Sequence, residues 1–533
     1  MKKRAVLTMK YINKMKHFGL LCLLSLTMVG CTDWDDHYNG GDQHVGADKT
    51  LWEEIESRPE LDNFKRCLEQ YGYKEILNSS QMFTVFAPEG PINTTGLSDE
   101  KVKTEVIENH IARFAHSANG AVGDKPDVVM LNAKAIRLEQ HGDGYLFGEK
   151  AFTDEYNIRA KNGVLHVIEG QQMFFHNIWE YLTTDTSFTS VCEYLYSFND
   201  TILDEDRSIK GEINENGQQE YLDSVVYVYN SMFYSIGQLN NEDSTYTMLI
   251  PTNKAWENAY KRVKPYYKYP TNISSSKRDS LQRLYTGFGV VRDLVFSHTV
   301  QTSVEDSIIS TTDGVFRNPF EYILTGYSDW DQSVKCSNGG VFVVDELRHN
   351  PWDSWHERIK VEAERSNSLN NELTTGAMTY RRTLPNSDSL YTKVSGGSYI
   401  EVMPNSTIAR PTIVFNVWNT LAGRYDVKVI FLPQKRATYK GTIKPNLFNV
   451  QYAALTNKGE LSFKNLAFDC ANDPTKIDTV TVGSVNLTNC AFGTDMIGLQ
   501  VKLEALDTDK ENSGKEYSTT YLIDGIILEP SKK

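Results

Sequence analysis

Two stretches of this chain carry the same pair of strand signals. A chain that repeats a strand pair has to bury each pair in a core of its own. The first copy opens with Phe83-Thr84-Val85-Phe86-Ala87-Pro88, the second with Tyr246-Thr247-Met248-Leu249-Ile250-Pro251. Each is a short apolar run stopped by proline, the pattern of a buried strand running into a turn. Further on, Asn162-Gly163-Val164-Leu165-His166-Val167-Ile168 is answered by Asn338-Gly339-Gly340-Val341-Phe342-Val343-Val344. Asn-Gly ahead of a β-branched run is a tight turn feeding a strand. Between the two signals each copy is expected to hold a helix with a histidine, 106–111 around His110 and 294–300 around His298. The strand-to-histidine spacing is 27 residues in the first copy and 52 in the second. Residues 265–280 read as an inserted loop that accounts for most of the difference, and an acidic, polar insertion lies near 200–219.

At 533 residues the chain is too long for one core. After Pro351-Trp352-Asp353-Ser354-Trp355 the character changes, and 356–531 reads as all-β. Runs such as Thr412-Ile413-Val414-Phe415-Asn416-Val417 alternate with turn signals, which predicts a sandwich.

The repeated boxes resemble those of the fasciclin (FAS1) family, over 49–182 and again over 183–349. The last segment opens with Ile359-Lys360-Val361-Glu362-Ala363-Glu364 and closes with Tyr521-Leu522-Ile523-Asp524-Gly525-Ile526-Ile527-Leu528. That pair of ends resembles galactose-binding-like jelly rolls, which include carbohydrate-binding modules. The fold these resemblances imply is multidomain: two α+β fasciclin-like domains followed by an all-β jelly-roll sandwich over 356–531.

Residues 1–30 carry six bases and no acid, then an apolar run ending at Gly30-Cys31. This is the pattern of a secretory signal, too short for a comfortable membrane span. Met28-Val29-Gly30-Cys31 resembles a bacterial lipobox, which implies lipidation of Cys31. The acidic stretch 31–48, opening Cys31-Thr32-Asp33-Trp34-Asp35-Asp36, resembles the surface-export signal of Bacteroidetes lipoproteins. The expected address is therefore the outer face of the outer membrane, held by lipid. The formal charge is −14, and removing the signal takes it to −20. That excludes nucleic acid as a natural partner and a polybasic grip on a membrane. Five cysteines remain after Cys22 and Cys31: Cys67, Cys192, Cys336, Cys470 and Cys490. None forms a Cys-x-x-Cys pair, so structural zinc is not expected. Cys470 and Cys490 lie in one segment and could bridge; buried free thiols are the favoured reading.

No metalloprotease, serine-hydrolase, phosphate-loop or dinucleotide motif occurs, so a non-catalytic protein is expected. Adhesive fasciclin domains carry a Tyr-His pair; here Asn109 and Ser297 precede the histidines, and a core role is expected for both. The jelly-roll resemblance implies a structural calcium held by Glu362, Glu364 and Asp524, carboxylates of the first and last strands. The alternative is solvent-facing acids on edge strands. Trp418, Tyr399 and Tyr425 are sugar-stacking candidates by residue type alone. Asp-Ser/Thr-apolar triplets, such as Asp388-Ser389-Leu390, resemble an O-glycosylation sequon. The expected function is a glycan-binding accessory of a SusC/SusD-type nutrient-uptake system, with a polysaccharide as partner. The alternative is a cell-adhesion or protein–protein module acting through the fasciclin-like domains.

Overall fold

The computed structural model describes residues 48–531 except 121–126, 204, 206–207, 215, 224–225, 298–306, 325, 328–331, 439–441 and 508–515. The leader, Cys31, all but the last residue of the acidic stretch, and His298 lie outside the described residues. The chain forms two compact units, Met1–Phe174 and Phe175–Lys533.

In the first unit, α1 (Leu51–Glu56), α2 (Asp62–Gln70) and α3 (Tyr73–Asn78) precede eight strands. These are β1 (Phe83–Pro88), β2 (Ile111–Arg113), β3 (Asp127–Val129), β4 (Ala135–His141), β5 (Gly144–Phe147), β6 (Lys150–Ala151), β7 (Ile158–Ala160) and β8 (Gly163–Ile168). One sheet runs β2-β1-β8-β7 with β1 and β8 parallel, and a second runs β3-β4-β5-β6. Helix residues Leu51, Ile55, Phe64 and Leu77 pack against Val85, Ala87, Leu165 and Val167. Phe86 and Ile168 point the other way, into Val128, Leu138 and Phe147 of the second sheet. Both β1 and β8 are thus buried on two faces, which is why they read as continuous apolar runs.

Lys161 and Asn162 make the turn between β7 and β8, and Asn162 fastens it to its surroundings. The Asn162 side chain accepts the Leu51 N–H at 2.8 Å and donates to the carbonyls of Leu77 at 2.7 Å and Ser79 at 2.8 Å. One buried amide therefore caps the start of α1 and the end of α3 together. The expected helix over 106–111 is instead a π turn over Val102–Ile107 and a 3-10 turn over Glu108–His110, and Ile111 already belongs to β2.

The second unit begins with α4 (Ile178–Tyr181), α5 (Thr189–Tyr196), β9 (Asn199–Leu203), β10 (Ile209–Ile213), β11 (Gln219–Asp223), β12 (Val226–Asn230) and α6 (Phe233–Ile236). Then come β13 (Tyr246–Pro251), α7 (Asn253–Val263), α8 (Ser275–Val291), β14 (Val295–Phe296), β15 (Ser307–Ile309), β16 (Val315–Arg317), β17 (Val334–Cys336) and β18 (Gly339–Val344). This module repeats the first rung by rung. Its sheet order is β14-β13-β18-β17, and Tyr246 pairs with Gly339 as Phe83 pairs with Gly163. Asn338 accepts the Ile178 N–H at 2.9 Å and donates to Leu239 O at 2.8 Å and Asn241 O at 3.1 Å, reproducing the Asn162 fastening. Because α4 is fastened in this way, the boundary falls after Phe174, ahead of the expected 182/183.

Register corrects the histidine equivalence. Val85 pairs with Ile111 in the first sheet, and Met248 with Val295 in the second. His110 therefore corresponds to Leu294, not to His298, and Asn109 corresponds to Asp293. The stretch expected as a helix around His298 starts as strand β14, since α8 has already supplied the helix.

The supposed inserted loop over 265–280 is a docking element. It runs through a 3-10 turn at Lys264–Tyr267 into α8 and grips the last segment. Tyr269 Oη donates to Phe492 O at 2.9 Å, Thr271 N–H and Oγ1 each donate to Asn457 O at 2.8 Å, and Ala422 N–H donates to Tyr266 O at 2.9 Å. Leu421 and Cys490 complete the apolar core of the second module. The acidic insertion is a ribbon, β9 paired with β12 and β10 with β11.

The last segment contributes β19 (Ile359–Glu362), β20 (Ala377–Thr383), β21 (Ser398–Pro404), β22 (Thr412–Val417), β23 (Gly423–Phe431), β24 (Leu447–Ala454), β25 (Phe463–Ala471), β26 (Asp478–Leu487), β27 (Leu499–Leu506) and β28 (Tyr521–Pro530). One sheet runs β20-β21-β28-β23-β26, with β19 also on β28, and the other runs β22-β27-β24-β25. Val402, Val427, Val429, Phe431 and Ile523 of the first meet Ile413, Phe415, Val450, Val501 and Leu503 of the second in one core. The first and last strands pair directly, Ile359 with Leu528. Among the described residues no helix is long and apolar enough to cross a membrane.

Candidate ligand-binding face and carboxylate cluster

Strand alternation sends every second residue of the four-stranded sheet away from the core. On that outward face the register sets amides beside one another. Asn416 pairs with Gln500, Gln451 with both Lys502 and Asn465, and Asn449 with Glu504. Gln500 Nε2 donates to Asn416 Oδ1 at 2.9 Å, Gln451 Nε2 to Asn465 Oδ1 at 3.1 Å, and Asn449 Nδ2 to Glu504 Oε2 at 3.1 Å. Asn416 and Gln500 are buried, so the capacity left for a ligand lies with Asn449, Gln451 and Asn465, whose amides each have two donors and two acceptor lone pairs. Asn449 Oδ1 is buried with no partner. Phe463 adds an aromatic ring, with Lys502 Nζ 5.7 Å from its centroid.

Of the three aromatic candidates, Tyr399 and Tyr425 are buried. Tyr425 Oη is engaged with His356 Nε2 at 3.0 Å. Trp418 is half-buried and follows Asn416 by two residues, and its indole N–H has no partner. The amide ladder was not singled out from sequence. Its signal is polar residues alternating with core residues along β22, β24 and β27.

The outward face of the other sheet carries the three acids expected to hold calcium. Lys360 Nζ lies 3.3 Å from Glu362 Oε1 and 3.2 Å from Asp524 Oδ2. Ser395 Oγ donates to Glu362 Oε1 at 2.5 Å. Yet Glu362 Oε2, Glu364 Oε2 and Asp524 Oδ1 are all buried without a partner among the described residues. Burial, then the charges of Glu362 and Asp524, push the Glu364 carboxyl above its ordinary range. Burial raises Asp524 as well, against the pull of Lys360. Glu401, on the same sheet face, shows the contrast. Burial disfavours its charge too, but Thr438 N–H at 2.6 Å, Thr438 Oγ1 at 2.8 Å and Arg382 Nε at 2.8 Å hold its carboxyl below the usual range.

Three carboxylates against one ammonium leave two net negative charges, and the donor set is all oxygen. That chemistry fits a hard divalent cation. The placement is not that of an assembled shell: among the described residues no three such side chains gather round one point, and Lys360 bridges two of them. Replacing Lys360 with methionine is expected to destabilise the sandwich by about 2 kcal/mol, because Glu362 and Asp524 lose their counter-charge. A urea titration at pH 7 checks it.

Burial holds two histidines of the first unit neutral. His110 Nδ1–H donates to Val106 O at 2.6 Å, Nε2 accepts the Gln172 N–H at 2.9 Å, and burial pushes the pKa down to about 4. His166 Nε2–H donates to His116 O at 2.8 Å, Nδ1 accepts the Asn157 N–H at 3.2 Å, and burial again lowers the pKa to about 4. Both are core histidines. Cys67, Cys336 and Cys490 are buried free thiols, Cys192 is a half-buried one, and the Cys470 side chain lies outside the described residues.

Residues 59–170 match the fasciclin domain family, so the first unit contains a fasciclin domain. No curated protein matches the chain. Among solved structures it is similar to the FAS1 domain pair of the insect cell adhesion molecule fasciclin I, at 13% identity and TM-score 0.21, over 57% of this chain and 97% of that one. It is similar to a family 35 carbohydrate-binding module from Clostridium thermocellum at 12% identity and TM-score 0.19, over 33% of this chain and 99% of that one. A family 22 xylan-binding domain from Paenibacillus barcinonensis gives 10% identity and TM-score 0.20, over 33% of this chain and 94% of that one. Likenesses this distant say nothing of activity.

Proposed function

We propose that this chain is a non-catalytic, surface-exposed lipoprotein whose sandwich binds a glycan. It would be held at the outer membrane through lipid on Cys31 and would serve a SusC/SusD-type uptake system. The observation that carries the reading is the amide ladder on β22, β27, β24 and β25. Sugar hydroxyls are taken by side chains that offer a donor and an acceptor together, and pyranose C–H faces by flanking aromatics. Asn449, Gln451 and Asn465 supply the first; Phe463 and Trp418 supply the second. The second module is read as another fasciclin domain on the strength of its repeated register and Asn338 fastening, and the sandwich as a jelly roll. Affinity electrophoresis of the chain from residue 32 in gels holding soluble polysaccharides is expected to retard it with one class of glycan. Unchanged mobility in every gel overturns the reading.

Calcium is part of the same proposal. Glu362, Glu364 and Asp524 would hold it, and it would neutralise their buried charge. Millimolar calcium is expected to raise the melting temperature of the second unit and a chelator to reverse the rise. A melting temperature indifferent to both removes calcium from the account. A protein partner is favoured by one feature of the second module: β12 of the ribbon presents Val226 and Val228 to solvent, and Tyr234 just beyond is 76% exposed.

A further inference from the structure

One end of the β2-β1-β8-β7 sheet in the first unit is charged opposite to the rest of the protein. Phe83 pairs with Arg113 and Gly163, and Gly163 pairs with Ala160, so β1 and β8 begin where β2 and β7 stop. Phe114 N–H donates to Met82 O at 3.0 Å, and Lys161 N–H donates to Lys49 O at 2.8 Å. The segments that meet here, 49–51, 78–83, 111–117 and 158–163, hold Lys49, Arg113, His116, Arg159 and Lys161, against one adjoining carboxylate, Glu53, whose Oε2 accepts the Thr50 N–H at 2.8 Å, in a chain of formal charge −14. Lys49, Arg113 and Lys161 are exposed. Arg113 and Lys161 enter no ion pair among the described residues.

Beside these cations lies an exposed apolar pair. Phe114 is 71% exposed and Met82 46%. Phe114 sits at φ +68°, a conformation that bulky residues rarely adopt. A ring held out to water on strained backbone is an arrangement found where a surface is used.

The stretch that runs into this end has the complementary chemistry. Residues 31–48 carry Asp33, Asp35, Asp36, Asp42 and Asp48 with no Lys or Arg, and aromatic residues Trp34 and Tyr38. Its last neighbour, Lys49, is itself part of the cationic end. We propose that residues 33–38 dock on this end of the sheet, their carboxylates against Arg113 and Lys161 and Trp34 against Phe114 and Met82. The ten residues between Tyr38 and Lys49 reach up to about 35 Å when extended, and about 17 Å as a flexible chain. Joined this closely, the two parts meet at an effective concentration in the millimolar range, so a weak contact suffices. The docked tether covers the patch and holds the first unit close to whatever carries residue 31. Salt releases it, because the contact is largely exposed charge.

The test is a photo-crosslink in the intact chain with benzoylphenylalanine in place of Phe114. The position is exposed, so the fold is not at risk. Irradiation at low salt is expected to join it to residues 32–38 of the same molecule, as mapped by mass spectrometry. The yield should fall at least tenfold with D33N/D35N/D36N or in 0.5 M salt. Adducts only elsewhere in the chain, adducts between molecules, or no adduct overturn the proposal. None of these outcomes touches the glycan reading, which rests on the second unit.

Discussion

Replacing Gly339 with alanine is expected to destabilise the second unit severely. Gly339 opens β18 at φ +136°, in the region closed to L side chains, and an added Cβ would stand 1.8 Å from Tyr246 O. That oxygen belongs to the backbone of the neighbouring strand and cannot swing aside. To admit the methyl group, β13 and β18 must part at the rung where Tyr246 N–H donates to Asn338 O at 3.0 Å. The Asn338 fastening of α4 then goes too. The expected loss is about 4 kcal/mol or more, a large share of the 5–15 kcal/mol that typically stabilises a folded domain. Gly163→Ala meets the same obstacle in the first unit, where the Cβ would stand 1.8 Å from Phe83 O. Gly72 is the control: its φ is +81° with nothing near the missing side chain, so alanine there costs only about 1 kcal/mol. Urea unfolding followed by circular dichroism separates the cases. A Gly339→Ala chain with wild-type stability would contradict the fastening described here.

The second large effect is loss of stability in acid, centred on the first unit. His110 and His166 have folded pKa values of about 4 against 6.5 when unfolded. Above pH 6.5 both states are neutral and the histidines contribute no pH dependence. Between 6.5 and 4 the unfolded chain takes up protons that the folded chain refuses, so stability falls as pH falls. The slope is about 1.4 kcal/mol per pH unit for each histidine, so the pair removes about 2–3 kcal/mol per unit within the window. In the second unit His356 is also lowered to about 4 by burial, so that unit weakens over the same range. Urea midpoints of the first unit at pH 7.0, 6.0 and 5.0 are expected to drop progressively, and more gently in a His110→Gln variant. A midpoint flat from pH 7 to 5 would mean that the two rings take up protons without opening the core.

Much of this architecture is legible in the residues, and the failures have physical causes. The strand pairs were visible because β1, β8, β13 and β18 are buried on both faces and so carry unbroken apolar runs. Asn-Gly announced the turns, though not that Asn162 and Asn338 reach helix ends far away in sequence. Residue type matches His298 to His110, whereas strand register gives Leu294; pairing is a long-range fact that spacing along the chain does not encode. Residues 265–280 looked like a loop because prolines and polar residues dominate, and the partner they grip, Asn457 to Phe492, lies almost two hundred residues on. Nothing along the chain marks Lys360 as the counter-charge of Asp524. The structure sets it 3.2 Å from Asp524 across the β19–β28 pairing. The amide ladder escaped for the same reason: its members come from four strands that no local pattern connects.

The central claim is that the outward face of β22, β27, β24 and β25 takes a glycan. It is tested most directly by measuring polysaccharide binding of the chain from residue 32 beside its Gln451→Ala/Asn465→Ala variant. Both side chains sit at the surface of the ladder, so the fold should survive the change. Removing two ligand-facing amides should weaken binding at least tenfold, the equivalent of about 1.4 kcal/mol, with thermal stability unchanged. Binding of equal strength in both proteins, or none by either, would contradict the claim.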